Sequence, residues 1–320
     1  MATDGDRGVR ALVTGGAGFI GHHLVRGLLA HGHDVAVLDD FSSGSPERLS
    51  ALRDRISLVE GSVLDADAVD RAIAGRDIVF HLAAIASVAR SLREPRLTHA
   101  VNVEGTIAVV LAAARHHLRR AVLAGSSAVY GDTVTLPCRE EQRPAPQSPY
   151  GVDKLAAEHY LHVLGGSRGV ETVALRYFNV FGPGQDPASE YAAVIPRFIS
   201  AALRGQRPTI NGSGTISRDF VHVDDVVAAN LLAATVPGVG GLTCNIACGA
   251  PTTLDQLVTA VGAATGVALE PIYGPPRVGD VVASWADVSR ASEILGYAAA
   301  VPFEAGVART VAWFRTPAPA

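Results

Sequence analysis

Apolar residues along the first 180 positions alternate between two textures. ALVTGG (11–16), DVAVLDD (34–40), ISLVEGSV (56–63), DIVFHLAA (77–84), AVLAGSS (121–127) and ETVALRYFNV (171–180) are short apolar runs. That is the pattern of strands covered on both faces. Between them, GHHLVRGLLAHG, VNVEGTIAVVLAAARHH and SPYGVDKLAAEHYLHVL repeat apolar residues at helical spacing. Ser148 offers an N-cap for the last of these and Pro149 a first helical residue. Strands alternating with helices predict an α/β fold, a Rossmann-type parallel sheet with helices on both faces. After residue 180 the texture changes. FGPGQDP and NGSGTISRD are loop-rich, while IPRFISAALRG, VDDVVAANLLAAT and TLDQLVTAVGAATG have helical spacing. The expected organisation is a dinucleotide-binding domain over 1–180, with 219–248 returning to it. A smaller C-terminal α/β substrate lobe is expected from 181–218 and 249–320. Ligands should bind between them, at the carboxyl ends of the strands.

Composition narrows the classes. The chain has 320 residues, 48% hydrophobic and 18% charged, with mean hydropathy +0.24, enough to bury a large core. A net charge of −4 gives no broad basic footprint, so neither nucleic acid nor an anionic membrane is an expected partner. No uninterrupted apolar stretch approaches the ~20 residues that span a bilayer. The start MATDGDRGVR has no signal-peptide core. Cys138, Cys244 and Cys248 are too few for a disulfide framework and lack a second ligand pair for zinc. No metal is expected, and the chain reads as a cytoplasmic protein with reduced thiols. One count changes the picture. Of 27 Lys plus Arg, the only Lys is Lys154, which invites a chemical reason.

Two constellations supply the chemistry. ALVTGGAGFIGHHLV places Gly15, Gly18 and Gly21 between a strand and a helix. Glycines there permit a tight turn and a close backbone approach to a pyrophosphate at the helix N-terminus. The next strand ends in Asp39, which can accept from both ribose hydroxyls and repels a 2′-phosphate. NAD is therefore expected rather than NADP. SPYGVDK sets Tyr150 and Lys154 at i and i+4, on one helix face. A phenol ionises near ~10; an adjacent ammonium should lower that value, and with a positive nicotinamide nearby Tyr150 would be poised as a general base. GSSAVYG adds two hydroxyls, Ser126 and Ser127, at a strand end.

In these residues the chain resembles the extended short-chain dehydrogenase/reductases, specifically nucleotide-sugar 4-epimerases acting on UDP-hexoses. The likeness runs from TGGAGFIG through VFHLAA, NVEGT, SSAVYG, YGVDK, LRYFNVFGPGQDP, SRDFVHVDD and PPRVGD to WADVSRA. It implies that Gly15, Gly18, Phe19 and Ile20 line the pyrophosphate of NAD, and that Asp39, Asp40, Ser42 and Gly44 surround the adenosine ribose. It also implies that Leu82, Ala83, Ala84, Asn102 and Tyr177 line the cofactor cleft. Beside Val63 the family often has Asp where this chain has Ser62, which puts that adenine contact in doubt. Tyr150, Lys154 and Ser126 or Ser127 would form the catalytic group, with Ser126 favoured by counting back from Val129-Tyr130-Gly131. Ser87, Ser127, Asn179, Ala193, Val194, Arg218, Arg277, Asp280 and Ser284 match positions that hold the UDP-sugar.

The implied reaction is oxidation at sugar C4 to a 4-keto intermediate, rotation of the sugar, and re-reduction from the other face. Related 4,6-dehydratases and decarboxylases place acid or base residues where this chain has Ser127 and Ala128, which disfavours both. The remaining alternatives are a UDP-glucuronate 4-epimerase, another NAD-dependent nucleotide-sugar oxidoreductase, or a non-catalytic cofactor-binding regulator. The retained Tyr and Lys favour an enzyme. Ser284, just before Trp285, occupies a position where a bulky Tyr in the family restricts the sugar, so a roomy pocket admitting N-acetyl sugars is expected. The family pairs as a homodimer through two helices per subunit, here VNVEGTIAVVLAAARHHL and KLAAEHYLHVL.

Overall fold

The computed structural model describes residues 8–132, 135–187, 193–276 and 281–316. Strand β1 (Arg10–Thr14) leads into helix α1 (Phe19–Ala30), followed by β2 (Asp34–Asp39), β3 (Ile56–Glu60), α2 (Ala66–Ile73) and β4 (Ile78–His81). Next come α3 (Val88–Arg93) and the long helix α4 (Pro95–Arg115). β5 (Arg120–Ser126), α5 (Pro149–Gly166) and β6 (Glu171–Tyr177) complete the first half. The second half holds β7 (Asn179–Phe181), α6 (Val194–Leu203), β8 (Thr209–Asn211), β9 (Ser217–Arg218), β10 (Phe220–His222), α7 (Val223–Thr235) and β11 (Leu242–Ile246). It ends with β12 (Thr252–Thr253), α8 (Leu254–Thr265), β13 (Ile272–Gly274), β14 (Ala283–Ser284), α9 (Ser289–Leu295) and α10 (Phe303–Arg315).

A seven-stranded sheet has the order β11-β6-β5-β4-β1-β2-β3, and all its pairs are parallel. The pleat sorts β1 between two cores. Ala11 and Val13 join Leu24 and Leu28 of α1 and Val226 of α7 on one face. Leu12 joins Val69 of α2, Val109 and Ala113 of α4, and Leu161 of α5 on the other. The order reverses at β1, which has β2 on one side and β4 on the other, so a crevice opens beyond its carboxyl end.

α4 begins at Pro95 and contains a π-helical turn at Ala100–Glu104. It is long and apolar enough to cross a membrane by length and composition, but half of its most apolar window is buried within the protein.

Beyond β6 the chain forms small sheets pairing β7 with β10, β9 with β12 and β14, and β8 with β13. A third core of Phe181, Phe198, Phe220, Leu257, Val261 and Val307 supports them. The seventh strand of the main sheet, β11, comes from this later stretch and pairs with β6.

Candidate active site

A cleft of about 1050 Å³ opens at the reversal point. It is lined by Gly15, Gly18, Phe19, Ile20, Asp39, Asp40, Ser42, Val63, Leu82, Ala83, Ala84, Tyr150, Lys154 and Tyr177, all anticipated from the sequence, and also by Ser43, Gly61, Ile85 and Val101. Gly15 has φ +70, and a Cβ there would lie 2.7 Å from the Ala83 nitrogen; a Cβ on Gly21 would lie 2.1 Å from the Gly15 oxygen. The first turn of α1 therefore sits directly against the end of β1. Gly18 caps α1 without a side-chain hydrogen bond, and that turn carries no acidic residue. Its N–H groups and positive dipole end suit a diphosphate. Asp39 is almost fully buried. Its carboxylate accepts from the Ala17 N–H at 2.8 Å and the Phe41 N–H at 2.9 Å. Burial holds its carboxyl above the ordinary range, against those two N–H groups. Lone pairs remain for ribose hydroxyls, so the residues present fit a dinucleotide.

Of the residues anticipated around the cofactor, Asn102, Ser62 and Gly44 do not line this cleft, and neither do Ser87, Ser126 and Ser127. Asn102, buried on the π-helical turn, accepts from the Ile85 N–H at 2.8 Å and donates to the Ile85 oxygen at 3.2 Å. It props the lining loop from behind. Ser62 accepts from the Leu64 N–H and shapes a turn. Gly44 packs on Ala17 and Asp39, where a Cβ would collide. Ser87, placed with the substrate residues by resemblance, caps α3 by accepting from the Arg90 N–H at 3.1 Å.

At the inner end of the cleft, Ser148 caps α5 by accepting from the Gly151 N–H at 3.1 Å. This aims the first turn of α5 at the end of β5. Lys154 is buried, and its Nζ donates to the Ala124 oxygen at 2.9 Å and stands 6.0 Å from the centre of the Tyr150 ring. Of the two hydroxyls, Ser126 is the one that bears on the Tyr150 phenol, favouring its ionised form. Ser126 also accepts from the Ala128 N–H at 3.2 Å, while Ser127 enters a 3-10 turn. The ionisation of Tyr150 differs from the expectation. Burial pushes its phenol up, and the Ser126 hydrogen bond only opposes this. Lys154 is itself pulled down to about 8 by burial, with Asp153 working the other way. A desolvated ammonium at that distance does not outweigh desolvation of the phenol.

Behind this wall, Arg176 of β6 forms a buried two-pronged pair with Glu158 of α5, at 2.9 and 2.6 Å. It also donates to the Tyr130 hydroxyl at 2.9 Å, and that hydroxyl donates to Asn245 of β11 at 2.7 Å. The network locks α5 to the sheet and fixes the end of β6, whose Tyr177 lines the cleft.

A second cavity, of about 850 Å³, lies two residues further along the chain. Asn179, Ala193, Val194 and Arg218 line it, with Gln185, Phe198, Ile210, Asn211 and Leu254. Ser284 pairs with Arg218 in neighbouring strands and is half-buried. Arg277 and Asp280 lie outside the described residues. Sequence reasoning gave no role to Asp219, which is fully buried. It accepts from the N–H groups of Cys248, Gly249 and Ala286 at 2.7, 2.9 and 3.2 Å. Burial pushes it up to about 6 against those donors. The segment SRDFVHVDD contains it, but only the fold reveals its partners.

The model of the NAD dependent epimerase/dehydratase family matches residues 11–247. The chain belongs to that family. Its relatives within this NAD-dependent family include a UDP-glucose 4-epimerase of Mycolicibacterium smegmatis, 40% identical over 311 residues, covering 96% of this chain and 99% of that one. A UDP-glucose 4-epimerase of Thermotoga maritima, solved with UDP-glucose, superposes with a TM-score of 0.90 at 39% identity, covering 96% and 98% of the two chains. A UDP-N-acetylglucosamine 4-epimerase of Methanobrevibacter ruminantium, solved with UDP-N-acetylmuramic acid, gives 0.91 at 36% identity, covering 96% and 98%.

Proposed function

We propose that this protein is an NAD-dependent UDP-hexose 4-epimerase that oxidises and re-reduces the sugar at C4 through a 4-keto intermediate. The observation that carries this reading is the placement of Tyr150 and Lys154 in the wall of the dinucleotide cleft, with Ser126 acting on the Tyr150 phenol. NAD supplies the hydride acceptor and donor. The protein's own groups hold and move the proton. Tyr150 takes it from the sugar 4-hydroxyl and returns it after rotation, while Ser126 supplies a hydrogen bond to the phenol oxygen in both states. Lys154, fixed on the Ala124 carbonyl, keeps a positive charge beside the phenol. Asn179, the Ala193–Val194 backbone and Arg218 hold the nucleoside diphosphate in this proposal, with Arg277 and Asp280 assigned by resemblance.

The test is conversion of UDP-galactose to UDP-glucose by purified protein without added NAD. Absence of 4-epimer formation from UDP-galactose, UDP-N-acetylglucosamine and UDP-glucuronate, with and without NAD, would refute the proposal. A second reading, preference for N-acetyl sugars, is supported by the small Ser284 beside Arg218.

Division into a cofactor domain over 1–180, with 219–248 returning, and a lobe from 181–218 and 249–320 belongs to the same proposal. So does a homodimer through α4 and α5, whose Leu97, Val152, Tyr160 and Val163 are exposed. The three unpaired cysteines suit a reducing, cytoplasmic setting.

A further inference from the structure

We propose that Arg48 is a positioning residue that couples occupancy of the cofactor cleft to binding of the UDP-sugar. The inference rests on the function proposed above. Arg48 belongs to the 3-10 helix Pro46–Arg55, remote from the reacting atoms. One terminal nitrogen donates to the Ala17 oxygen at 3.2 Å and the other to the Gly184 oxygen at 3.0 Å. Ala17 lies inside the glycine turn, and its N–H is bound by Asp39 at 2.8 Å. Gly184 lies in the loop after β7, and the next residue, Gln185, lines the second cavity and donates to the Val180 oxygen at 3.2 Å. A continuous path therefore runs from Asp39 through Ala17, Arg48 and Gly184 to the substrate side.

The contact is reinforced at the same place. His23 of α1 donates to the Pro183 oxygen at 2.8 Å. Gly184 has φ +83, and a Cβ there would lie 3.0 Å from the His22 ring, so the loop rests directly on the first turns of α1. With both terminal nitrogens on carbonyls, Arg48 is spoken for structurally, although it is near enough to feel Asp39 and Asp186. A ligand that fixes the Asp39–Ala17 turn thereby fixes the Arg48 head, and with it the loop that places Gln185. The reverse holds by linkage.

Calorimetric titration of cofactor-stripped protein with NAD⁺ and with UDP tests this. In the wild type, saturating NAD⁺ should tighten UDP binding by roughly tenfold, and UDP should tighten NAD⁺ binding by the same factor. In Arg48→Met that factor should fall to near one, with each ligand's affinity when alone nearly unchanged. Arg48→Lys, whose ammonium serves one carbonyl at a time, should be intermediate. KM for the UDP-sugar should rise in Arg48→Met with kcat little changed. Should Arg48→Met fail to fold, Arg48→Gln is read in its place. A coupling factor unchanged in the variant, even with a lowered melting temperature, would show that Arg48 is only a structural pin and overturn the proposal. So would a wild-type factor of one. Failure of the wild type to bind either ligand would instead overturn the function itself, and this inference with it.

Discussion

Lys154→Met is expected to stabilise the cofactor-free protein while abolishing its activity. Lys154 is 5% exposed and makes one hydrogen bond, to the Ala124 oxygen. Burial pulls its pKa from 10.5 to about 8. At about 1.4 kcal/mol per unit, keeping the ammonium charged at pH 7 costs the fold about 3 kcal/mol. Methionine keeps the stem and removes the charge. It also leaves the Ala124 carbonyl without its donor, a loss of about 1–2 kcal/mol. The expected net gain at pH 7 is about 1–2 kcal/mol. The pH dependence has a definite sign. Between pH 8 and 10.5 the unfolded wild type holds a proton that the folded wild type has released, so raising the pH favours the folded wild type. The advantage of the variant is thus full below pH 8 and disappears towards pH 10.5. Urea denaturation at pH 7 and pH 10 measures both points, and turnover should fall ~10²-fold or more. A variant less stable than wild type at pH 7, or an advantage that grows with pH, would refute the desolvation argument.

Tyr150→Phe should lower epimerisation by ~10²–10⁴-fold while calorimetry shows NAD⁺ and UDP binding retained. Glu158→Ala, which strands the buried Arg176 charge, should cost about 3–5 kcal/mol, and Glu158→Gln combined with Arg176→Met should recover much of it in urea unfolding. Ser284→Tyr should reduce turnover of UDP-N-acetylglucosamine far more than that of UDP-glucose, because added bulk excludes more strongly than a lost contact; an unchanged ratio of the two rates would remove Ser284 as a gate.

The main sheet was largely legible because parallel strands buried on both faces are continuously apolar. Six runs read from the sequence correspond to β1 through β6, and Ser148 and Pro149 start α5 where the side chains predicted. β11 gave no strand signal of its own. LTCNI is short, and its partner β6 lies far back in the chain, so local periodicity does not identify it. The glycine turn, Asp39, Tyr150 and Lys154 were readable from their spacing, whereas Phe19, Ile20, Asp40, Ser42, Leu82, Ala83 and Ala84 were assigned by resemblance. Asn102, on the π-helical turn, reaches the cleft only through the Ile85 backbone that it holds, a contact that residue identity does not reveal. The ionisation of Tyr150 was read from the neighbouring ammonium and a positive nicotinamide; spacing supplies the first charge but not the desolvation of both groups that dominates in the cofactor-free protein. Asp219 was missed because all three of its donors are backbone N–H groups from distant segments, which leave no trace in residue identity.

Asp219 also bears on assembly during synthesis. Its carboxylate gathers the backbone at Cys248 and Gly249 and, from much later in the chain, at Ala286. By contrast, every described residue lining the cofactor cleft lies at or before Tyr177, and the sheet beneath it is complete once Leu242–Ile246 has joined. The core under β1 and α1, however, also takes in Ala291, Leu295 and Tyr297, so on a ribosome the cradle and the Asp219 cluster both wait for the same late segment, a long-range closure of the kind that forms slowly. A nascent chain of this design has neither site in finished form until Tyr297 has emerged.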